Sequence, residues 1–161
     1  MKAILAVLSS AFVGLVACAV HGDEIEKIPG SDNPVLKTIL APDTRLDGRW
    51  IGVIRRGYEE HTVQIATDPK DEGAYRLKFY SWTDTAGVIK TNRTGKLVDG
   101  VLSLNEPLKG FGISKSPFSV LYAVRVEGKD YLLPSVNAEE LKTVEDVKPR
   151  IAYQFQRRGD R

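Results

Sequence analysis

The chain has 161 residues, with 23 Lys and Arg against 21 Asp and Glu and a formal net charge of +2. That is room for one domain with its own core. The charge is too near neutral for an electrostatic nucleic-acid binder, so no nucleic-acid partner is expected. One cysteine and two histidines exclude an intrachain disulfide and a zinc site of the usual Cys/His kind; no metal and no cofactor are expected.

Residues 1–17 carry a single charge, Lys2, ahead of an apolar run broken only by Ser9, Ser10 and Gly14. This is the pattern of an export signal, shorter than the about 20 apolar residues of a membrane span. It ends in Leu15-Val16-Ala17-Cys18, which resembles the lipobox of bacterial lipoprotein signal peptides. The resemblance implies cleavage before Cys18, which then carries diacylglycerol and an N-linked fatty acid of the palmitate type. The implied partner is a membrane, held through an N-terminal lipid anchor. Two or more acyl chains give stable anchoring where one is marginal. Ala17-Cys18-Ala19 also suits an ordinary secretory cleavage site, but lipidation gives the lone cysteine a role. Ala19, where inner-membrane lipoproteins tend to carry Asp, favours an outer-membrane location facing the periplasm. Loss of Lys2 lowers the mature charge to +1, 22 cations against 21 anions.

Residues 18–43 read as a tether, polar and punctuated by Pro29-Gly30, Asn33-Pro34 and Ala41-Pro42. Within it Val35, Leu36, Ile39 and Leu40 stand at helical spacing. Either a short helix docks on the domain, or the segment spans the gap from lipid to fold. The domain itself is expected at 44–161. From residue 49 the pattern turns to period two, rich in β-branched and aromatic residues. Strands are predicted at 49–56, 61–67, 74–82, 87–98, 101–105, 118–126, 131–134 and 150–157. Asp99-Gly100 is a two-residue hairpin signal, and residues 118–126 are apolar on both faces. One short helix is predicted before the last strand. Asn137 would cap it, Glu140 would complete a capping box, and Val136 with Leu141 would form a hydrophobic staple. Short connections imply antiparallel neighbours, and closing the meander removes its two bare edges. The expected fold is therefore mainly β: an antiparallel up-and-down β-barrel of about eight strands.

Leu46-Asp47-Gly48-Arg49-Trp50 is similar to the opening of a lipocalin, whose first strand begins Gly-x-Trp. The resemblance implies that Trp50 plugs the closed end of a barrel and that a late arginine, Arg157 or Arg158, packs over it. Two features depart from that family. Lys129-Asp130-Tyr131 stands where a Thr-Asp motif is usual, and the helix precedes the last strand instead of following the eighth.

The residues expected inside the barrel are aromatic and apolar: Tyr75, Leu77, Phe79, Phe118, Val120, Tyr122, Ile151, Tyr153 and Phe155, above Trp50. Trp50, Tyr75, Phe79, Tyr122 and Tyr153 are the ligand-binding candidates. An eight-stranded barrel is either packed solid or holds one small molecule, here apolar or lipid-like. Leu108, Phe111 and Ile113, among the glycines and prolines of residues 106–117, make a lid over the barrel mouth, a docking patch for an envelope protein, or a loop folded onto its own domain. No catalytic set is found. His61, beside Glu59 and Glu60, is read as a surface residue. Adjacent carboxylates in a strand point to opposite faces. The chain is thus expected to be non-catalytic, a carrier of a small apolar ligand or, with a filled barrel, a docking or envelope-assembly module.

Overall fold

A computed structural model describes residues 27–55, 58–83, 87–109, 116–150 and 153–156. Cys18 with the rest of the lipobox, Phe111, Ile113, Ile151, Arg157 and Arg158 lie outside the described residues. Eight strands close one antiparallel barrel in sequence order. They are β1 Gly48–Arg55, β2 Tyr58–Thr67, β3 Ala74–Thr83, β4 Gly87–Val98, β5 Val101–Leu108, β6 Phe118–Val126, β7 Lys129–Pro134 and β8 Tyr153–Gln156. β8 pairs with both β7 and β1 and completes the ring. The mainly β barrel expected from the alternation is the fold found.

Asp99 and Gly100 have φ of 50° and 82° and join Val98 to Val101, the two-residue turn whose twist matches its strands. Glu127 and Gly128, at 50° and 72°, do the same for β6 and β7. These turns and the β2–β3 connection stand at one end, the floor. The β1–β2, β3–β4 and β5–β6 connections stand at the other end, the rim, with the passage from β7 to β8.

Leu46, Trp50, Val63, Leu77, Phe79, Leu102, Leu121, Leu132 and Tyr153 form the interior cluster. Each such apolar side chain contributes about 1.5–3 kcal/mol by leaving water. At the floor the Trp50 indole N–H donates to the Leu46 carbonyl at 2.9 Å, and its ring meets Phe155 edge-on at 5.0 Å.

A second apolar cluster covers the outside of β6 and β7. Both faces of β6 are buried for this reason. Phe118, Leu121 and Ala123 point inward, while Val120, Tyr122, Val124 and Val126 point outward. Helix α1, Pro34–Ile39, lies on that outer face and buries Leu36 and Ile39. It starts where it does because the Asn33 side-chain oxygen accepts from the N–H groups of Val35 and Leu36, and Pro34 needs no donor there. The Asn33 amide also donates to the carbonyls of Ala138 and Leu141, at 3.0 and 2.9 Å. Below α1 the Ala41 N–H donates to the Ala123 carbonyl at 2.9 Å. Residues 27–43 of the expected tether therefore run down the barrel wall from rim to floor, as the docked-helix alternative has it.

The region before β8 departs from its predicted detail. Helix α2 is Ser135–Ala138, followed by a 3-10 turn at Val144–Val147. Asn137 sits inside α2, whose N-cap is Pro134; its amide donates to the Arg150 carbonyl at 2.9 Å. The capping box belongs instead to Thr143 and Asp146. The outer cluster needs Ala138, Leu141 and Val147 together. At about 100° per residue, one continuous helix would carry Val147 to the side opposite Ala138.

Candidate functional site

The interior is where a ligand would sit, and its middle level is filled. A side chain bordering a hollow wide enough for water keeps accessible surface there. Trp50, Phe79 and Tyr153 keep none, each at 0 % exposure. Phe79 and Tyr153 meet edge-on with centroids 6.1 Å apart. Tyr75 is half-buried against the same cluster near the floor.

Two of the expected interior positions are elsewhere. Tyr122 does not line the barrel: it packs outward beneath residues 27–39, its hydroxyl donating to the Pro29 carbonyl at 2.9 Å. Burial, with the Glu139 charge adding, pushes that phenol up to about 12. Val120 points outward with it. The cause is a register shift in the β5–β6 ladder between Ser103 and Leu108. It changes which face of β6 looks inward between Phe118 and Leu121. Leu108 does not belong to an exposed lid either. It ends β5 at 1 % exposure, inside the interior cluster.

His61 is the second correction of consequence. It is a buried residue of the barrel interior, 8 % exposed, with its Nδ1 3.0 Å from the Ser81 hydroxyl. The expected strand began at His61, but β2 begins at Tyr58. Val63 and Ile65 point inward, and strict alternation carries His61 with them. Burial holds the imidazole below its ordinary 6.5, against the opposing charge of Glu60. A hydroxyl on a neutral imidazole is the beginning of a nucleophilic pair, but Ser81 is 2 % exposed. Ser81 would have to become accessible before a substrate carbonyl could reach it.

Above Gly95 the barrel wall changes character. The β4–β5 ladder runs only from Val98↔Val101 to Gly95↔Leu104. Farther up, Pro107 has no N–H to give. Side chains hold the strands instead. The Arg93 guanidinium donates to the carbonyls of Glu106 and Pro107 at 3.1 and 2.9 Å, and the Thr94 N–H to the Asn105 side chain at 2.9 Å. The result is a shallow depression of about 380 Å³ beside Thr91, Arg93 and Leu108. Arg93 donates to the carbonyls of Asn92, Glu106 and Pro107 and has the Glu106 carboxylate at 3.8 Å, so here it serves as a structural closure.

The rim carries the unexpected surface. Among the described residues the large exposed hydrophobics are Trp82, Val88, Ile89 and Val98, at 38, 56, 37 and 64 %. Three of them stand at the end of the β3–β4 hairpin: Trp82 and Val88 pair on its outer face, and Ile89, opposite the inward Ser81, is on the other face. Their signal in the sequence was the pairing itself, since a hairpin joining 74–82 to 87–98 sets them side by side at its tip. Among the described residues no group of His, Cys, Asp and Glu is placed to hold a metal ion, and no helix is long and apolar enough to cross a membrane. No family model, no curated protein and no solved structure matches this chain.

Proposed function

We propose that the chain is a non-catalytic envelope lipoprotein whose barrel is a packed scaffold, and that it binds through its rim surface and not through a cavity. The observation that carries this is the zero exposure of Trp50, Phe79 and Tyr153. The side chains that would have lined a pocket are used up on one another. The anchor and the outer-membrane, periplasm-facing location rest on Leu15-Val16-Ala17-Cys18 and Ala19. The lack of a catalytic role rests on the burial of Ser81, the hydroxyl that His61 touches.

Native mass spectrometry of the full chain, expressed with its signal and extracted in mild detergent, tests the reading. The expected species starts at Cys18, carries covalent acyl chains and holds nothing else. An additional mass that leaves on denaturation would instead make the barrel a carrier of a small apolar ligand and overturn the packed scaffold.

A further inference from the structure

The exposed apolar cluster and the start of the described chain lie at the same end of the barrel. Lys27, Ile28 and Pro29 border Phe118, where β6 begins, and Ser135, just after β7 ends. Both of those points are on the rim. Only residues 19–26 separate Cys18 from Lys27. At no more than about 3.6 Å per residue they reach about 30 Å at full extension. An acylated Cys18 therefore keeps the rim close to the bilayer, and the hairpin tip stands on that rim.

The outer face of the β3–β4 hairpin is graded along its length. Trp82 pairs with Val88 at the tip, Tyr80 with Lys90 one step down, and Lys78 with Asn92 below that. The Lys90 ammonium lies 5.9 Å from the Tyr80 ring centroid. Apolar residues, then an aromatic with a cation, then polar residues is the order of a segment crossing from acyl chains through headgroups into water. Lysine at the headgroup level also matches the charge of anionic lipid. Val98, the other large exposed apolar side chain among those described, stands at the floor, the end away from Lys27 and the anchor. We propose that the rim of the barrel lies against the bilayer that holds the anchor, with Trp82 and Val88 inserted at its surface. This rests on the lipid-anchor reading of Cys18.

The chain has two tryptophans, and Trp50 is fully buried, so it serves as an internal reference. Full-length lipidated protein is reconstituted into vesicles of phosphatidylethanolamine and phosphatidylglycerol, with and without lipids brominated on their acyl chains. Flotation and intact mass are read beside the emission. The expected result is that bromolipid quenches the wild type but not Trp82→Phe, and that Val88→Asp abolishes the quenching while the protein still floats. Protein that floats and carries its acyl chains, yet whose Trp82 is not quenched, overturns the orientation and gives the hairpin tip to a protein partner. Protein without acyl chains that stays with the soluble fraction overturns the anchor reading, and the orientation with it.

Discussion

A Cβ atom on Gly48 would stand 2.6 Å from Cε2 of Phe155, at the seam where the first strand meets the last. Gly48 also has φ of 144°, in the region that side-chain-bearing residues avoid. The Gly-x-Trp opening has a local cause here. The glycine lets the Phe155 ring pass, and that ring braces Trp50 edge-on. Gly48→Ala is expected to cost about 1–3 kcal/mol through the backbone alone, with displacement of Phe155 adding to it. Phe155→Leu in the same background should recover the second part only. Denaturant midpoints of the two single variants and the double variant separate the parts, and strict additivity would deny the contact.

Burial of His61 makes stability depend on pH. Its folded-state value lies below the ordinary 6.5, so below pH 6.5 the unfolded chain takes up a proton that the folded chain resists. The contribution is present above 6.5 and lost as pH falls through the folded value. Unfolding midpoints measured from pH 8 to pH 5 should fall more steeply for the wild type than for His61→Gln. Parallel curves would mean that the imidazole is not desolvated.

The Tyr153 hydroxyl is buried without a hydrogen-bond partner. Burial raises its ionisation far above the ordinary phenol value. An unmatched buried hydroxyl costs about 1–3 kcal/mol, and removing it is neutral or favourable. Tyr153→Phe keeps the edge-on contact with Phe79 and is expected to leave the midpoint unchanged or raised by the equivalent of about 1 kcal/mol. A loss of more than about 2 kcal/mol would reveal a partner for that oxygen.

Asn33 has two separable roles. Its oxygen caps α1, and its amide holds the carbonyls of Ala138 and Leu141. Asn33→Ser keeps a capping oxygen and removes the amide donors, whereas Asn33→Ala removes both. The alanine variant should lose about 1–2 kcal/mol more than the serine, the usual value of a cap. Proteolysis near residues 27–33 should follow the same order, and equal losses would assign all the effect to the amide.

Alternation along β1 to β8 was legible because a half-buried strand leaves a mark at every second residue. β4 and β6 have the bounds that pattern predicts. What was hidden is what one strand cannot show about its neighbours. The register shift that turns Tyr122 outward lies in the β5–β6 pairing, and no periodicity within residues 118–126 encodes it. A clue was present all the same. A strand apolar on both faces needs cover on its outer side, and the apolar spacing at Leu36 and Ile39 supplied a helix to give it. His61 reads as a surface residue only if the strand is begun there, and β2 begins at Tyr58. The alternation of Val63 and Ile65 already carried it inward.

The ring is closed by the last strand, of which residues 153–156 are described. Against β1 it matches Arg49 with Gln156, Trp50 with Phe155 and Ile51 with Gln154; against β7, among the described residues, it matches Tyr131 and Leu132. More than a hundred residues separate the partners at that seam, so the contact that completes the fold is also the one slowest to find. A chain emerging in order from its N-terminus keeps β1 and β7 as bare edges until residues 153–156 arrive. The same delay leaves two strand edges open to other chains until that seam forms.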